Sequence, residues 1–243
     1  MKFVLSLLLL RAVAALAAPA FSPEAAAKKF DAGDYLGAAA AYREGLSADP
    51  GNPDLHYNLG NCFFKAGRLG PAIVEYQRAF DALPRDSDIR HNLDFALKRA
   101  GEDLTPAGVP PILFAAFHWL GARELAGLHW LSCWAALLLA GAWLIKDAWR
   151  PALGAWCAGA LALWLCGGGW WLARTGFEPE SRGVVLKPAA EIRSGPGESF
   201  SVSFTVPEGR RVQILSASGD WVEIGLPKEG AKGWMRSDAV EEI

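Results

Sequence analysis

The chain has 243 residues, room for two or three small modules, and 52% of them are hydrophobic. Its 24 basic and 26 acidic residues leave a formal net charge of −2, and no long basic run occurs, which argues against a nucleic-acid binder. The four cysteines (Cys62, Cys133, Cys157 and Cys166) form no CxxC pair and no Cys/His cluster, so neither a zinc site, a disulfide framework nor another cofactor is expected.

Residues 1–20 read as a secretory signal peptide. Lys2 precedes an apolar core, and Ala18-Pro19-Ala20 fits a small-residue cleavage pattern before Phe21. Arg11 interrupts the core; uncleaved, the segment stays as an anchor. Either way, the chain that follows is exported.

Residues 21–103 carry an internal period. Gly33, Ala38, Tyr42 and Pro50 return 34 positions later as Gly67, Ala72, Tyr76 and Pro84, and Asn58-Leu59 returns as Asn92-Leu93. That spacing is the signature of tetratricopeptide repeats, each a pair of antiparallel helices. The fullest copy runs from Pro53 to Asp86. Gly60 and Ala72 are small where two helices must cross, Phe63 and Tyr76 fill the space beside them, and Pro84 stops the second helix. In the first copy Ala26 and Gly45 stand at the places of Gly60 and Ala79. The third is a lone helix, a cap. About two and a half repeats fall at or below the usual minimum of about three. Two stripes at helical spacing, Tyr57-Asn61-Lys65 and His91-Phe95-Arg99, are either a concave partner-binding groove or solvated faces.

Residues 104–124 read as a linker followed by a short helix lying in a membrane interface, because the apolar part, Ile112 to Ala122, is too short to span. Residues 125–145 and 151–173 contain no formal charge and are long enough to cross a bilayer once each. The turn between them, 146–150, holds Lys146 and Arg150, and basic short loops stay cytoplasmic. Both ends of this hairpin therefore face out, as the signal peptide independently predicts. Trp130, Trp134, Trp143, Trp149, Trp170 and Trp171 read as interface anchors. Stripes of small residues, Ser132-Ala136-Ala140 and Gly154-Ala158-Ala162, read as a packing seam within the hairpin or toward a membrane partner. The two "HWL" triplets put His118 and His129 about three helical turns apart, too far for one metal.

Residues 182–243 alternate as strands: "GVVLK", "FTV", "RRVQILSAS", "DWVEIGL" and "KGWMR", separated by Pro and Gly turns. Five short strands in this length predict an SH3-like barrel. "AEIRSGPG" at 190–197, followed by "VPEGRRVQIL", "DWVEI" and "KGWMRSDAV", resembles bacterial SH3 domains, with Glu191 where that family usually has asparagine. The resemblance implies a cell-wall-peptide or extended-chain groove lined by Arg193, Ser194 and Trp221; a folded spacer is the alternative. Trp234 is expected in the core.

The fold class is thus multi-domain: an all-α repeat, a two-helix transmembrane hairpin and an all-β SH3-like barrel. This order, together with the Asn-Leu repeat cap leading into a Trp-rich hairpin, resembles the BatE family of "Bacteroides aerotolerance" operons. The resemblance implies a non-enzymatic scaffold in the inner membrane, with both end domains on the periplasmic side. It implies partners among von Willebrand A-domain membrane proteins and, indirectly, a MoxR-type ATPase, in an envelope or oxidative-stress complex. The alternative is a peptidoglycan anchor or sensor acting through the SH3-like domain. No HExxH, GxSxG or Gly-rich phosphate loop occurs, so no enzyme is expected.

Overall fold

The computed structural model describes residues 21–106, 108–177 and 181–243; the expected signal peptide lies outside the described residues. Five helices come first: α1 (Pro23–Asp31), α2 (Tyr35–Ala48), α3 (Pro53–Lys65), α4 (Leu69–Ala82) and α5 (Ser87–Arg99). The 34-residue period becomes physical at their C-terminal ends. Gly33, Gly67 and Gly101 all take left-handed φ, near +81°, +77° and +72°. Each closes the same turn: the glycine N–H bonds one carbonyl, and the next residue's N–H reaches back to another, as Gly67→Phe64 and Arg68→Phe63 do. Only glycine adopts this φ without a Cβ penalty.

The helices pack as the repeat pattern requires. Ala26, Ala38, Ala72 and Ala79 are fully buried at the crossings, with Leu59, Phe63, Tyr76, Leu93 and Leu97 between them. A Cβ on Gly60 would stand 2.6 Å from Tyr76 Cδ1, and one on Gly45 would stand 2.8 Å from the Phe21 ring. Both glycines are therefore spaces for aromatic rings. The third repeat is indeed a single helix, α5.

A short helix, α6 (Pro111–Phe117), buries none of its residues. Two long helices follow, α7 (Ala122–Ile145) and α8 (Arg150–Phe177), joined by a 3-10 turn at Asp147–Trp149. Both are long and apolar enough to cross a membrane. Both helices run beyond the expected spans 125–145 and 151–173. Arg123 and Glu124 begin α7 instead of separating it from α6, because Glu124 accepts from the Gly121 N–H and pairs with Arg85. Arg150 opens α8, and that helix continues past Ala173 because Arg174 donates to the Leu120 carbonyl at 2.7 Å. Of the small-residue stripes, Ser132 is buried and Gly154 half-buried, Ala136, Ala140 and Ala158 line a groove between α7 and α8 together with Cys157 and Trp164, and Ala162 is exposed outside it. Trp134 sits mid-helix and outward, not at an end.

The C-terminal module is an antiparallel sheet of SH3-like type. Its strands are β1 (Arg182–Val185), β2 (Ala189–Arg193), β3 (Val202–Pro207), β4 (Arg211–Ser218), β5 (Trp221–Leu226), β6 (Ala231–Arg236) and β7 (Val240–Glu242), in the order β3-β2-β6-β5-β4-β1-β7. Irregular registers at Ile192/Arg193 and Ile214/Ser216 bend it around Ile192, Ile224 and Met235, all fully buried. Two strands escape the sequence pattern. β2 is the front half of the "AEIRSGPG" box, and β7 is a three-residue acidic stretch held by pairing with β1 and by Arg78 of α4, which donates to the Glu242 carbonyl. Trp234 is also a correction: Gly233 and Met235 face inward, so strand alternation turns Trp234 outward, partly exposed.

The sheet packs on the helical array. Val184 belongs to the array's buried core, with Leu186 and Ile243 beside it. α4 has no side-chain cap of its own. Its first turn is completed from 138 residues away, where Glu208 Oε1 accepts from the Gly70 N–H at 2.9 Å. Where a further repeat would start its second helix, after Gly101, Glu102 is buried instead and faces Arg210, Arg211 and Lys228 of the sheet module. The incomplete array is thus covered by the chain's own C-terminal module.

Candidate functional site

Two concave sites emerge. The first lies on the helical array, between α1, α3 and α5, and encloses about 280 Å3. Asn61, Lys65, His91 and Phe95 of the expected stripes line it, together with Phe30, Phe64, Tyr76 and Asn92. Its base is a side-chain network. Tyr76 Oη donates to Asn61 Oδ1 at 2.7 Å, and Asn92 Nδ2 donates to the same oxygen at 3.1 Å and to Tyr57 Oη at 3.0 Å. Burial holds the Tyr76 phenol well above its ordinary pKa, so it remains a donor. With Oδ1 engaged twice, the Asn61 amide N–H2 is the group presented to a ligand.

The other two expected residues stand beside the pocket and not in its wall. Tyr57 supports Asn92 from below, and Arg99 lies over the Phe64 ring at 5.4 Å. Phe64 meets Phe95 edge to face at 5.7 Å, and Phe95 is 51% exposed. Of the residues that the stripes omit, Asn92 carries a sequence signal, since it repeats Asn58 at the 34-residue offset. Phe30 and Phe64 repeat one another at that offset too, and Tyr76 repeats Tyr42, but the stripes miss them because they come from neighbouring helices or an adjacent helix face. The site combines an exposed ring, a carboxamide donor and the cation Lys65, a set able to hold an extended polypeptide by its backbone and one acidic or polar side chain.

The second site lies on the sheet module and encloses about 240 Å3. Trp221 forms its floor, with the Arg193 and Arg236 guanidiniums 5.9 and 6.0 Å from the ring centroid. Arg193 is also structural: it donates to the Glu198 and Phe200 carbonyls, both at 2.9 Å, and to Glu191 Oε2 at 2.7 Å. It therefore pins the 194–201 loop to β2, and Glu191 supplies an anchor for it. Ser194 does not line this site. Its hydroxyl faces Ser201 across the base of the loop at 3.3 Å.

A buried ionic chain links the array to the sheet. His56 Nδ1 lies 2.6 Å from Glu75 Oε2, and Nε2 lies 2.9 Å from the Pro50 carbonyl. Both partners are acceptors when Glu75 is ionised, so the ring must donate twice, as an imidazolium. Glu75 also meets Arg78, which reaches Glu241 at 2.9 Å in β7. Burial opposes the charge on His56, but the hydrogen bonds to Glu75 and Pro50 outweigh it, and the pKa sits above its ordinary 6.5. Because the folded value is raised, this stability is fully present below about pH 6.5 and is lost as pH rises through the folded-state pKa. We expect the array to lose roughly 1–2 kcal/mol across that rise, on the scale of one charge-assisted hydrogen bond. Denaturation midpoints of wild type and His56→Gln against pH check this: the wild type should fall with rising pH and the variant should not. A wild-type profile that is flat or climbs would contradict the imidazolium assignment.

The two "HWL" histidines serve different neighbours. His118 packs on Phe114 with ring centroids 4.1 Å apart, whereas His129 stacks between Trp164 and Trp171, each at 5.7 Å. Among the described residues no three His, Cys, Asp or Glu side chains converge as a metal site would need.

Two stretches match known families. Residues 29–93 match a tetratricopeptide repeat, and residues 188–241 match a bacterial SH3 domain. Over 58 residues, 24% of this chain, the sequence is 40% identical to a putative N-acetylmuramoyl-L-alanine amidase, YrvJ, of Bacillus subtilis (strain 168). That stretch is 11% of the relative, so the chain spans about a tenth of the length of the curated protein it matches. Both matched modules are binding folds, not catalytic ones. The groove of the array therefore lies in a module suited to protein–protein interaction, and the Trp221 site lies in an SH3-type one.

Proposed function

We propose that this protein is a membrane-anchored adaptor that holds protein partners outside the cytoplasmic membrane, in an envelope complex of the BatE type concerned with aerotolerance or envelope stress. The observation that carries it is the array groove, where an exposed Phe95 ring stands over a pre-assembled Asn61–Tyr76–Asn92 network. A rigid, pre-satisfied base lowers the ordering cost of binding an extended segment. The groove residues are Asn61, Lys65, His91 and Phe95, with Tyr57 and Arg99 in support.

In this reading, residues 1–20 are a signal peptide, 21–103 the repeat domain, 104–124 the linker, 125–145 and 151–173 the membrane spans, 146–150 a cytoplasmic turn and 182–243 the SH3-like domain. The positive turn at Lys146 and Arg150 supports that orientation. So does the packing of the array and the sheet module on one another at the other end of the hairpin. Partners fitting the family resemblance are von Willebrand A-domain membrane proteins, with a MoxR-type ATPase reached indirectly. No catalytic role is assigned.

A second reading has its own support. The amidase relative is named for a bond of the cell wall, and bacterial SH3 modules recur in wall-binding proteins, so Trp221, Arg193 and Arg236 would hold peptidoglycan. In-cell photocrosslinking from Phe95 and from Trp221, followed by mass spectrometry, separates the two. Capture of an envelope protein from Phe95 supports the adaptor. Silence at Phe95 with wall fragments captured from Trp221 replaces it with a wall anchor.

A further inference from the structure

The short helix α6 is apolar on both of its sides. Its inner side packs on the protein. Phe114 lies ring on ring with Phe80 of α4, 6.5 Å apart and nearly parallel, and meets His118 at 4.1 Å. This side borders a cavity of about 770 Å3 whose walls also carry Arg182 and Arg211 of the sheet module. Arg211 is already held by Glu102 and by the Asp103 carbonyl, and Arg182 and Asp81 are engaged as well, so the cavity calls for no charged ligand.

The outer side of α6 has no such cover. Ile112, Ala115 and Ala116, with Trp119 just past the helix, fall at i, i+3, i+4 and i+7, and all are exposed. Ile112 is 77% exposed and Trp119 59%. With His118 counted neutral, no residue from Val109 to Leu120 carries a charge, so the polar face that a helix on a soluble surface presents is missing.

The level of α6 in the molecule indicates what covers it. The Trp170 indole N–H donates to the Phe117 carbonyl at 3.1 Å, and Arg174 donates to the Leu120 carbonyl at 2.7 Å. Both donors stand at the outer end of the charge-free run of α8, so α6 is tied to the hairpin where its apolar surface stops. Exposed apolar side chains resume on the same end of the hairpin with Trp130 and Leu131 of α7 and Leu172 of α8. The charges between α6 and that surface are turned to the array. Glu124 pairs with Arg85, and the Arg123 guanidinium lies against Gly51, where a Cβ would strike it.

We propose that α6 is a second membrane anchor, lying in the plane of the leaflet on the array's side with Ile112, Ala115, Ala116 and Trp119 in the lipid. The partner is the bilayer surface and not a polypeptide, because this face is hydrogen-bonded to the end of helices that themselves enter lipid, and because tryptophan beside a short uncharged helix suits the membrane boundary. The proposal rests on the reading that α7 and α8 cross the membrane. The array is then seated on the bilayer at three places: α6, the loop at Gly51 and the loop at Arg85.

The test is spin-label accessibility on the full chain in phosphatidylcholine–phosphatidylglycerol vesicles, with Cys133, Cys157 and Cys166 replaced by alanine. Cys62 stays unlabelled, since it is fully buried and burial pushes its thiol up to about 11. Labels go at Ile112→Cys and Ala116→Cys, with Leu138→Cys in mid-α7 as the lipid reference and Ser218→Cys on the sheet module as the water reference. Both α6 labels should meet dissolved oxygen more than a water-soluble nickel chelate, at a depth of about 5–10 Å below the headgroups. Adding Ile112→Asp, at an exposed position, should leave the array folded and shift the Ala116 label toward water. Labels that read like Ser218 overturn the anchor. So do labels shielded from both reagents, which would mean a polypeptide cover, and an Ala116 label that Ile112→Asp does not move. Leu138 separates the levels: outside lipid, it overturns the membrane reading and the anchor with it, whereas Leu138 in lipid with Ile112 in water overturns the anchor alone.

Discussion

Gly70→Leu will part the helical array from the sheet module while leaving each folded. A Cβ at Gly70 would fall inside van der Waals contact of the Val185 carbonyl oxygen and 3.0 Å from Leu186 Cα. Those are backbone atoms of β1 and the residue after it, and they cannot rotate aside as a side chain can. Overpacking of this kind costs about 1–3 kcal/mol. The displacement would also pull Glu208 from the Gly70 N–H, removing the cap that the sheet module supplies to α4, worth about 1 kcal/mol. On the other side of the same joint, Gly209 has φ near +83° and sits against Ala100 and Ile73, so the sheet has no slack to retreat along that turn. Hydrogen exchange should show the first turn of α4 and strand β1 losing protection together, with β2, β5 and β6 unchanged. Unaltered protection in β1 would mean that the joint is looser than its geometry indicates.

Tyr76→Ala will come close to unfolding the array. The ring is 2% exposed and fills the space opposite Gly60. Truncating a buried aromatic costs about 3–5 kcal/mol, against a domain stability of only about 5–15 kcal/mol. For a unit of this size each kcal/mol moves Tm by roughly 4–8 °C, so a fall on the order of 15 °C is expected in the helical transition followed by circular dichroism. Tyr76→Phe separates packing from function. It keeps the ring, costs about 1 kcal/mol, and removes the hydroxyl that holds Asn61 Oδ1. The array should stay folded while partner capture in the groove weakens. A drop of only a few degrees for Tyr76→Ala would show that α3 and α4 close over the gap.

Much of the fold was legible because it rests on periodic or local signals. The 34-residue offset placed the crossings at Gly60 and Ala72, and the same period proves to be written in the turn glycines 33, 67 and 101. Charge-free runs of 21 and 23 residues marked the two long helices to within a few residues. The helices run past those runs, where Glu124 and Arg174 find partners in Arg85 and Leu120 that no hydropathy window contains. Half of the strands' identity lies in alternation, which missed β2 and also β7, whose three residues owe their state to β1 and to Arg78 of α4. The same alternation, applied strictly, would have turned Trp234 outward. In the candidate groove, four of the six stripe residues line the pocket, because helical spacing alone puts them on one face. Tyr76 and Phe30 reach it from other helices.

The sequence by itself determined three things: a short helical repeat, two helices long and apolar enough to span a membrane, and an SH3-like sheet. Each follows from residues that act within one turn, one strand or one repeat. Only the tertiary structure decided how they meet. Glu208 caps a helix 138 residues away, Glu102 is buried among three cations where another repeat helix would begin, and two arginines of the sheet face the phenyl rings of the array and α6 across one cavity. Contacts of that kind have no period, since each depends on the relative placement of whole modules, and that is set by shape and buried charge, which no window of the chain contains.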